Sequence, residues 1–287
     1  MRFTYYTIIG KDINLLAGHV RNIKDYAGFN KLKCEKEFII IVYKNKKIDP
    51  KITRAILQYC RKEKLKIHIY EEPTNIFIEN LYACWNLGYK QAKDGYIFRG
   101  GSDQVFSKDS FLHLYEAAES LRKKGIKKFV LQANTIENQG RLKNEGDSRH
   151  FLLDLGSTFE GFDYKIFEAF IKKINKGMRK KIIDIDDALK FWGKPTKLTT
   201  SLGIINRVDG CSWLMTKNDW KKYGPLPIIE NNITGDVIIH DRLQKAEYVE
   251  YIVRDCITYH FVKGESWGNQ NELKINLLRK ILRKLQI

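Results

Sequence analysis

Cysteine pairs, long apolar runs and acidic charge are what this sequence has least of. Its five cysteines (Cys34, Cys60, Cys84, Cys211, Cys256) are far apart, odd in number and form no CxxC pair. That removes zinc-ligand spacing and argues against a disulfide framework. Reduced thiols in a cytosolic compartment are the simplest reading. No apolar run reaches the ~18–20 residues that a bilayer span needs. Residues 1–10 hold one early arginine but neither a long apolar h-region nor a small-residue cleavage site, so they read as a first strand rather than a signal peptide. Prolines number only five, and no repeat, low-complexity or linker-like segment interrupts the chain. One continuous domain with two halves is expected.

Acids are outnumbered, with 51 Lys and Arg against 34 Asp and Glu, a formal net charge of +17 over 287 residues. Such a balance favours anionic partners: nucleotide diphosphates, nucleic acid or an acidic membrane surface. The cations are spread along the whole chain, which equally suits a protein whose default solvated residue is lysine. Hydrophobic residues at 43% and charged residues at 30% are the balance of a folded protein.

The first half alternates strand and helix signals. Residues 3–9 are β-branched and aromatic, and Asp12 then caps a helix with Ile13, Leu16, Val20 and Ile23 at helical spacing. Residues 37–43 (EFIIIVY) are apolar throughout, as in a central strand covered on both faces. Asp49-Pro50 opens the next helix. A third strand over 65–70, a helix from Thr74 or Asn75 to about residue 93, and a fourth strand over 95–98 follow. That strand ends in the loop Arg99-Gly100-Gly101-Ser102-Asp103-Gln104, before a helix over 107–124. This order implies a right-handed, mostly parallel sheet flanked by helices, with ligands outside the carboxyl ends of its strands.

The second half is less regular. A strand over 129–134 precedes a polar, Gly- and Asn-rich loop over 138–149, and helices are expected over 162–175 and 186–192. A short strand over 211–215, a helix capped by Thr216, a helix over 236–246 and a strand over 248–253 complete the domain. The tail over 267–287 is a basic amphipathic helix, suited to lying on an anionic membrane or to packing on the domain with its lysines solvated.

Asp103 follows a buried strand beside two glycines, where a ligand can approach closely. A carboxylate there suits Mg²⁺ or Mn²⁺ shared with phosphate oxygens, or simply caps the next element. The wider context carries more weight. Asn86-Leu87-Gly88-Tyr89, then Gly95-Tyr96-Ile97-Phe98, then Gly101-Ser102-Asp103-Gln104-Val105-Phe106 resembles the donor-binding half of family 2-like glycosyltransferases of the GT-A fold. Asp209-Gly210-Cys211-Ser212-Trp213-Leu214-Met215 resembles their acceptor-side strand. Gly235-Asp236-Val237-Ile238-Ile239-His240-Asp241-Arg242-Leu243 looks like their "ED…R" helix, and Tyr259-His260-Phe261 like their late histidine. In two places the chain departs from that pattern. Gly101 stands where the first acid of the DxD-type motif is expected, and Gly235 stands for the first acid of the ED pair.

The resemblance implies a Rossmann-like α/β fold with a donor half over 1–124 and an acceptor-side catalytic half over 125–266. It implies an enzyme, with Asp236 as the base that takes the acceptor hydroxyl proton. Asp103 and His260 are then the ligands of Mn²⁺ or Mg²⁺. Gly10, Lys11, Tyr43, Asn45, Asn86, Ser102, Asp103 and Lys263 line the nucleotide-sugar site. Arg242 is a second cation suited to offsetting phosphate charge. Trp213 and Trp267 suit stacking on sugar rings, and Trp213 suits the core as well. The acceptor is a glycan, lipid or protein, and the compartment the cytoplasm or its membrane face. The other class of reading is a non-catalytic nucleic-acid or polyanion-binding protein on the same scaffold, although no RNA-binding signature occurs. A nucleotidyltransferase would want more glycine than Thr7-Ile8-Ile9-Gly10-Lys11 supplies.

Overall fold

The computed structural model describes residues 1–10, 13–44, 46, 48–72, 77–137, 151–156, 158–193, 196–200, 203–207, 212–227, 229, 230 and 233–261. From the amino end, β1 (Phe3–Ile9) leads through α1 (Ile13–Arg21) and a π-helical turn (Asn22–Tyr26) to β2 (Lys36–Lys44). The chain then runs through α2 (Pro50–Lys62) to β3 (Lys66–Glu71), and through α3 (Phe77–Gln91) to β4 (Tyr96–Arg99). Next come β5 (Gln104–Phe106), α4 (Ser110–Lys123), β6 (Phe129–Glu137), β7 (Phe151–Leu152) and α5 (Tyr164–Ile174). After β8 (Ile182–Asp184) and α6 (Ile185–Trp192), β9 (Thr196–Thr200) and β10 (Gly203–Arg207) pair with each other. The last elements are β11 (Trp213–Thr216), α7 (Lys217–Tyr223), the paired β12 (Ile229–Glu230) and β13 (Ile233–Thr234), α8 (Gly235–Lys245) and β14 (Val249–His260). The tail over 267–287 and the loop over 138–149 lie outside the described residues.

A 10-stranded sheet forms in the order β3-β2-β1-β4-β11-β6-β14-β5, with β7 on β6 and β8 on β14. β3, β2, β1 and β4 are parallel to one another, whereas β11 is antiparallel to β4 and β6. This is a mixed α/β, mostly parallel sheet flanked by helices. Period-two alternation explains why its central strands are apolar throughout. Phe3, Tyr5 and Ile9 of β1 pack with Phe38, Ile40 and Val42 of β2 against α1, α2 and α4. Tyr6 and Ile8 pack with Ile39, Ile41 and Tyr43 on the other face, against α3 and α8. Gly88 lets α3 come close: a Cβ there would lie 2.1 Å from the Tyr6 ring.

Local signals account for the helix starts. Asp49 accepts from the amide of Lys51, with Pro50 in the first turn, and Thr216 accepts from the amide of Asp219. Elsewhere the boundaries move. The helix expected from 107 starts at Ser110, because residues 104–106 are drawn into the sheet as β5. The last strand, expected to stop at 253, runs on to His260. Its polar Arg254-Asp255 pair sits at an irregularity, where the pairing with β6 jumps from Ile252↔Gln132 to Ile257↔Asn134. Ser107 closes that bulge, donating to the Asp255 carbonyl (2.9 Å) and accepting from the Ile257 amide (3.0 Å).

Two polar side chains on the buried side of the first helical segment hold β5 in place. The amide group of Asn22 donates to the Phe106 carbonyl (3.0 Å) and accepts from the Phe106 amide (2.9 Å). His19 lies 3.0 Å through Nδ1 from the Gln104 carbonyl and 2.7 Å through Nε2 from the Tyr5 hydroxyl. A carbonyl only accepts, so Nδ1 carries the proton and Nε2 accepts from Tyr5. Burial pushes the His19 pKa down to about 4, so the ring is neutral at pH 7. The unfolded chain takes up this proton near pH 6.5 and the folded chain only near 4. Stability from His19 is therefore complete above about pH 6.5 and lost as pH falls towards 4, by roughly 3 kcal/mol in all. Thermal melts from pH 7 to 5 should show a falling midpoint for the native chain and a shallower fall for His19→Gln. Equal slopes would assign the pH dependence to other groups.

Candidate active site

The loop over 100–103 leaves the carboxyl end of β4 and turns at once into β5, which pairs antiparallel with the end of β14. In that register Gln104 lies opposite His260, Val105 opposite Tyr259 and Phe106 opposite Thr258. The Phe261 amide donates to the Asp103 carbonyl at 3.0 Å, and His260 Nε2 lies 3.1 Å from Asp103 Oδ2. Residues 157 positions apart thus form a buried carboxylate–imidazole pair, 7% and 6% exposed. Next to it the Ser102 hydroxyl and Gln104 Nε2 are buried with no hydrogen bond among the described residues. Leaving such groups unsatisfied costs about 1–3 kcal/mol each.

Gln104 gives the loop its shape. Its Oε1 accepts from the Gly101 amide and from the Ser212 hydroxyl, both at 2.8 Å, and so ties the turn to the chain entering β11. Gly101 leaves the room that the Asp103 carboxylate occupies: a Cβ at 101 would sit 2.4 Å from Asp103 Oδ1.

Asp236 stands in the first turn of α8, where the helix N-terminus favours an ionised carboxylate. The Tyr82 hydroxyl of α3 donates to its Oδ1 at 3.3 Å. Beneath it lies a buried column of rings and charges. The Arg99 guanidinium is 4.9 Å from the Trp85 ring centroid and 4.4 Å from that of Trp213. His240 stacks on Trp213 at 4.6 Å, and its Nδ1 meets Glu250 Oε1 at 2.5 Å. Gln132 Nε2 donates to the other Glu250 oxygen. One helical turn separates His240 from Asp236, and one turn separates Trp85 from Tyr82, so the column supports both sides of the Asp236 carboxylate. Arg99, Glu250 and Gln132 were not singled out by the sequence, nor were His19 and Asn22. For His19 and Asn22 the available signal was a polar residue recurring at i+3 within an apolar helix face; Arg99, Gln132 and Glu250 lie on β4, β6 and β14 and carried no such signal.

The other candidates take varied positions. Gly10 is buried at the end of β1. Tyr43, 2% exposed at the end of β2, stacks on Tyr70 at 6.1 Å. The Asn86 side chain donates to the Leu226 carbonyl (3.0 Å) and accepts from the Leu226 amide (2.8 Å), so it joins α3 to the chain before α8. Trp213, 1% exposed, is a core residue. Arg242 donates to the Tyr223 carbonyl, and Asp241 pairs with Lys245. Lys11, Asn45, Lys263 and Trp267 lie outside the described residues. Among those described, no group of three or more His, Cys, Asp or Glu converges as a metal cage. Asp103 and His260 offer one carboxylate and one imidazole.

No family model matches the chain, and no curated protein matches it in sequence. Solved structures do match its fold. A fragment of TarS from S. aureus superimposes with a TM-score of 0.51 at 13% identity, over 91% of this chain and 60% of that one. GalNAc-T7, solved with UDP, GalNAc and Mn²⁺, gives 0.54 at 9% identity over 94% and 44%. The mannosyltransferase PcManGT from Pyrobaculum calidifontis, solved with GDP-Man and Mn²⁺, gives 0.53 at 10% identity over 93% and 58%. The chain has the GT-A fold, and it spans less than two thirds of each of these three proteins.

The Gly101–Asp103 contact has a measurable consequence. Gly101→Ala should destabilise the protein by about 1–3 kcal/mol through overpacking. In an Asp103→Ala background that cost should largely vanish, because the opposing oxygen is gone. Denaturant melts of the four proteins measure this coupling. Additive effects would mean that the carboxylate does not occupy this space.

Proposed function

We propose that the protein is a glycosyltransferase that moves a sugar from a nucleotide diphosphate sugar to an acceptor hydroxyl, with inversion. The observation that carries this reading is the Asp103–His260 pair at the carboxyl edge of a GT-A sheet, next to two buried polar groups with no hydrogen bond among the described residues. The structures that share the fold include proteins solved with UDP or GDP-mannose, which supports a nucleoside diphosphate donor.

In this scheme residues 1–124 bind the donor and 125–266 hold the acceptor. Asp236 takes the proton from the acceptor hydroxyl as that oxygen bonds to the anomeric carbon and the bond to the diphosphate breaks. Tyr82 orients the carboxylate. The carboxylate is half-buried in the first turn of α8. Asp103 and His260 would hold a divalent cation beside the leaving diphosphate. An imidazole in the set suits Mn²⁺ better than Mg²⁺. When bound, the cation neutralises charge developing on the leaving diphosphate. Ser102 contributes a hydroxyl to the same oxygens.

Incubation with UDP-, GDP- and dTDP-sugars and Mn²⁺ should give nucleotide diphosphate release and a thermal shift with at least one donor. Asp236→Asn should reduce release about 100-fold or more while donor affinity changes less than about threefold. Asp103→Asn should abolish the Mn²⁺-dependent part of the thermal shift. No stabilisation and no turnover with any donor would sink the proposal, and full turnover by Asp236→Asn would sink the base assignment alone.

A further inference from the structure

Two acid-free basic stretches meet on the face that carries α4 and α5. The first is Arg122, Lys123, Lys124, Lys127 and Lys128, at the end of α4 and just beyond it. The second is Lys172, Lys173, Lys176, Arg179, Lys180 and Lys181, at the end of α5 and in the loop to β8. All of these side chains are exposed. Lys124 lines the same 670 Å³ groove as Lys180 and Lys181, so the two stretches form one surface. Ion pairs engage Arg122 with Glu119, Lys128 with Glu247 and Lys180 with Asp187. Among the described residues the other eight form none. The acids around the groove are largely committed: Asp255 pairs with Arg254, and Asp184 caps α6. Glu116 is an exposed acid on the α4 wall.

Unpaired cations at this density repel one another, and an anionic partner relieves that repulsion. Large apolar side chains stand among them. Phe191 is 40% exposed and leans on Gly177 in the basic loop, where a Cβ would lie 3.9 Å from its ring. Ile166 is 51% exposed and shares a helix stripe with Lys173, seven residues on. Only one of the six cations in the second stretch is arginine. Lysine is a point charge without arginine's bidentate fork, and so suits a diffuse layer of headgroups more than ordered phosphates.

We propose that this face docks on an anionic phospholipid bilayer, with the lysines over the headgroups and Phe191 and Ile166 at the acyl boundary. The contact is peripheral: no helix among the described residues is long and apolar enough to cross a membrane. It also sets the height of the candidate site. Arg254 bonds to the carbonyls of Met178 and Lys181, which fastens the basic loop to β14. His260 lies six residues further along that strand, about 20 Å away. This inference stands independently of the glycosyl-transfer reading.

The test is co-sedimentation of the full chain with vesicles of phosphatidylcholine alone or mixed with phosphatidylglycerol. Binding should require phosphatidylglycerol and fall steeply between 0.1 and 0.5 M NaCl on the order expected from screening. The triple variant Lys172→Glu, Lys173→Glu, Lys176→Glu should lower the partition coefficient at least about tenfold, and Phe191→Ser should lower it several-fold. All four positions are solvent-facing, so melting temperatures and any donor-dependent thermal shift should stay unchanged. If the triple charge reversal lowers the melting temperature, the corresponding Lys→Gln variant replaces it. Unchanged vesicle binding by these variants overturns the proposal, as does equal binding to neutral vesicles. Preferential, salt-sensitive binding to RNA or polyphosphate over vesicles overturns it too.

Discussion

The antiparallel pairing of β5 with the end of β14 is the constraint on which the candidate site depends. It takes only three residues of β5, yet it sets Gln104 across from His260 and so delivers Asp103 to the imidazole. So short a strand has little stability of its own. It is held from one side by His19 and Asn22, whose side chains bond to its main chain, and from the other by Ser107 at the bulge of β14. Val105 and Tyr259 then bury together in a cluster with Phe162 and Phe167 of the second half. The Asp103–His260 pair is thus assembled by hydrogen bonds and packing well outside it.

Around Arg99 and Glu250, burial places charge where apolar packing alone would be the simpler solution. A desolvated cation–π contact contributes about 2 kcal/mol, and taking an ion out of water costs several. Arg99 between two indole rings, and Glu250 between His240 and Gln132, are thus better understood as a way of positioning than as a gain in stability. They link β4, β11, β6, β14, α3 and α8 below Asp236, and they fix the angle at which that helix presents its first turn. The basic α4–α5 face meets the middle of β14 near Arg254, so one strand joins the proposed membrane contact to the proposed cation pair.

Some of this was legible in the residues. EFIIIVY marked a doubly covered strand, Asp49-Pro50 and Thr216 marked helix starts, and the order of Asp103, Asp236 and His260 suggested a site. Each rests on near-neighbour chemistry or on order along the chain. β5 was not legible: Gln-Val-Phe is too short for a periodic signal, and its partner lies about 150 positions away. The roles of His19 and Asn22 were hidden for the same reason, since their acceptors are main-chain atoms of that strand. Asn86 matched a motif, yet its amide bonds to the main chain of Leu226. Only contact geometry reveals that.

The amino-acid sequence alone determined the alternation of strands and helices in the first half, the two-faced burial of its central strands and the glycine-flanked carboxylate after β4. These follow from periodicity, capping and the size of side chains, which act over a few residues. Tertiary structure decided that Asp103 and His260 touch and that Gly101 yields its place to the Asp103 carboxylate. It also decided that Asp236 stands over a buried column of rings and charges. Those outcomes depend on register between distant strands, and register is set by the packing of the whole core rather than by any local run of residues.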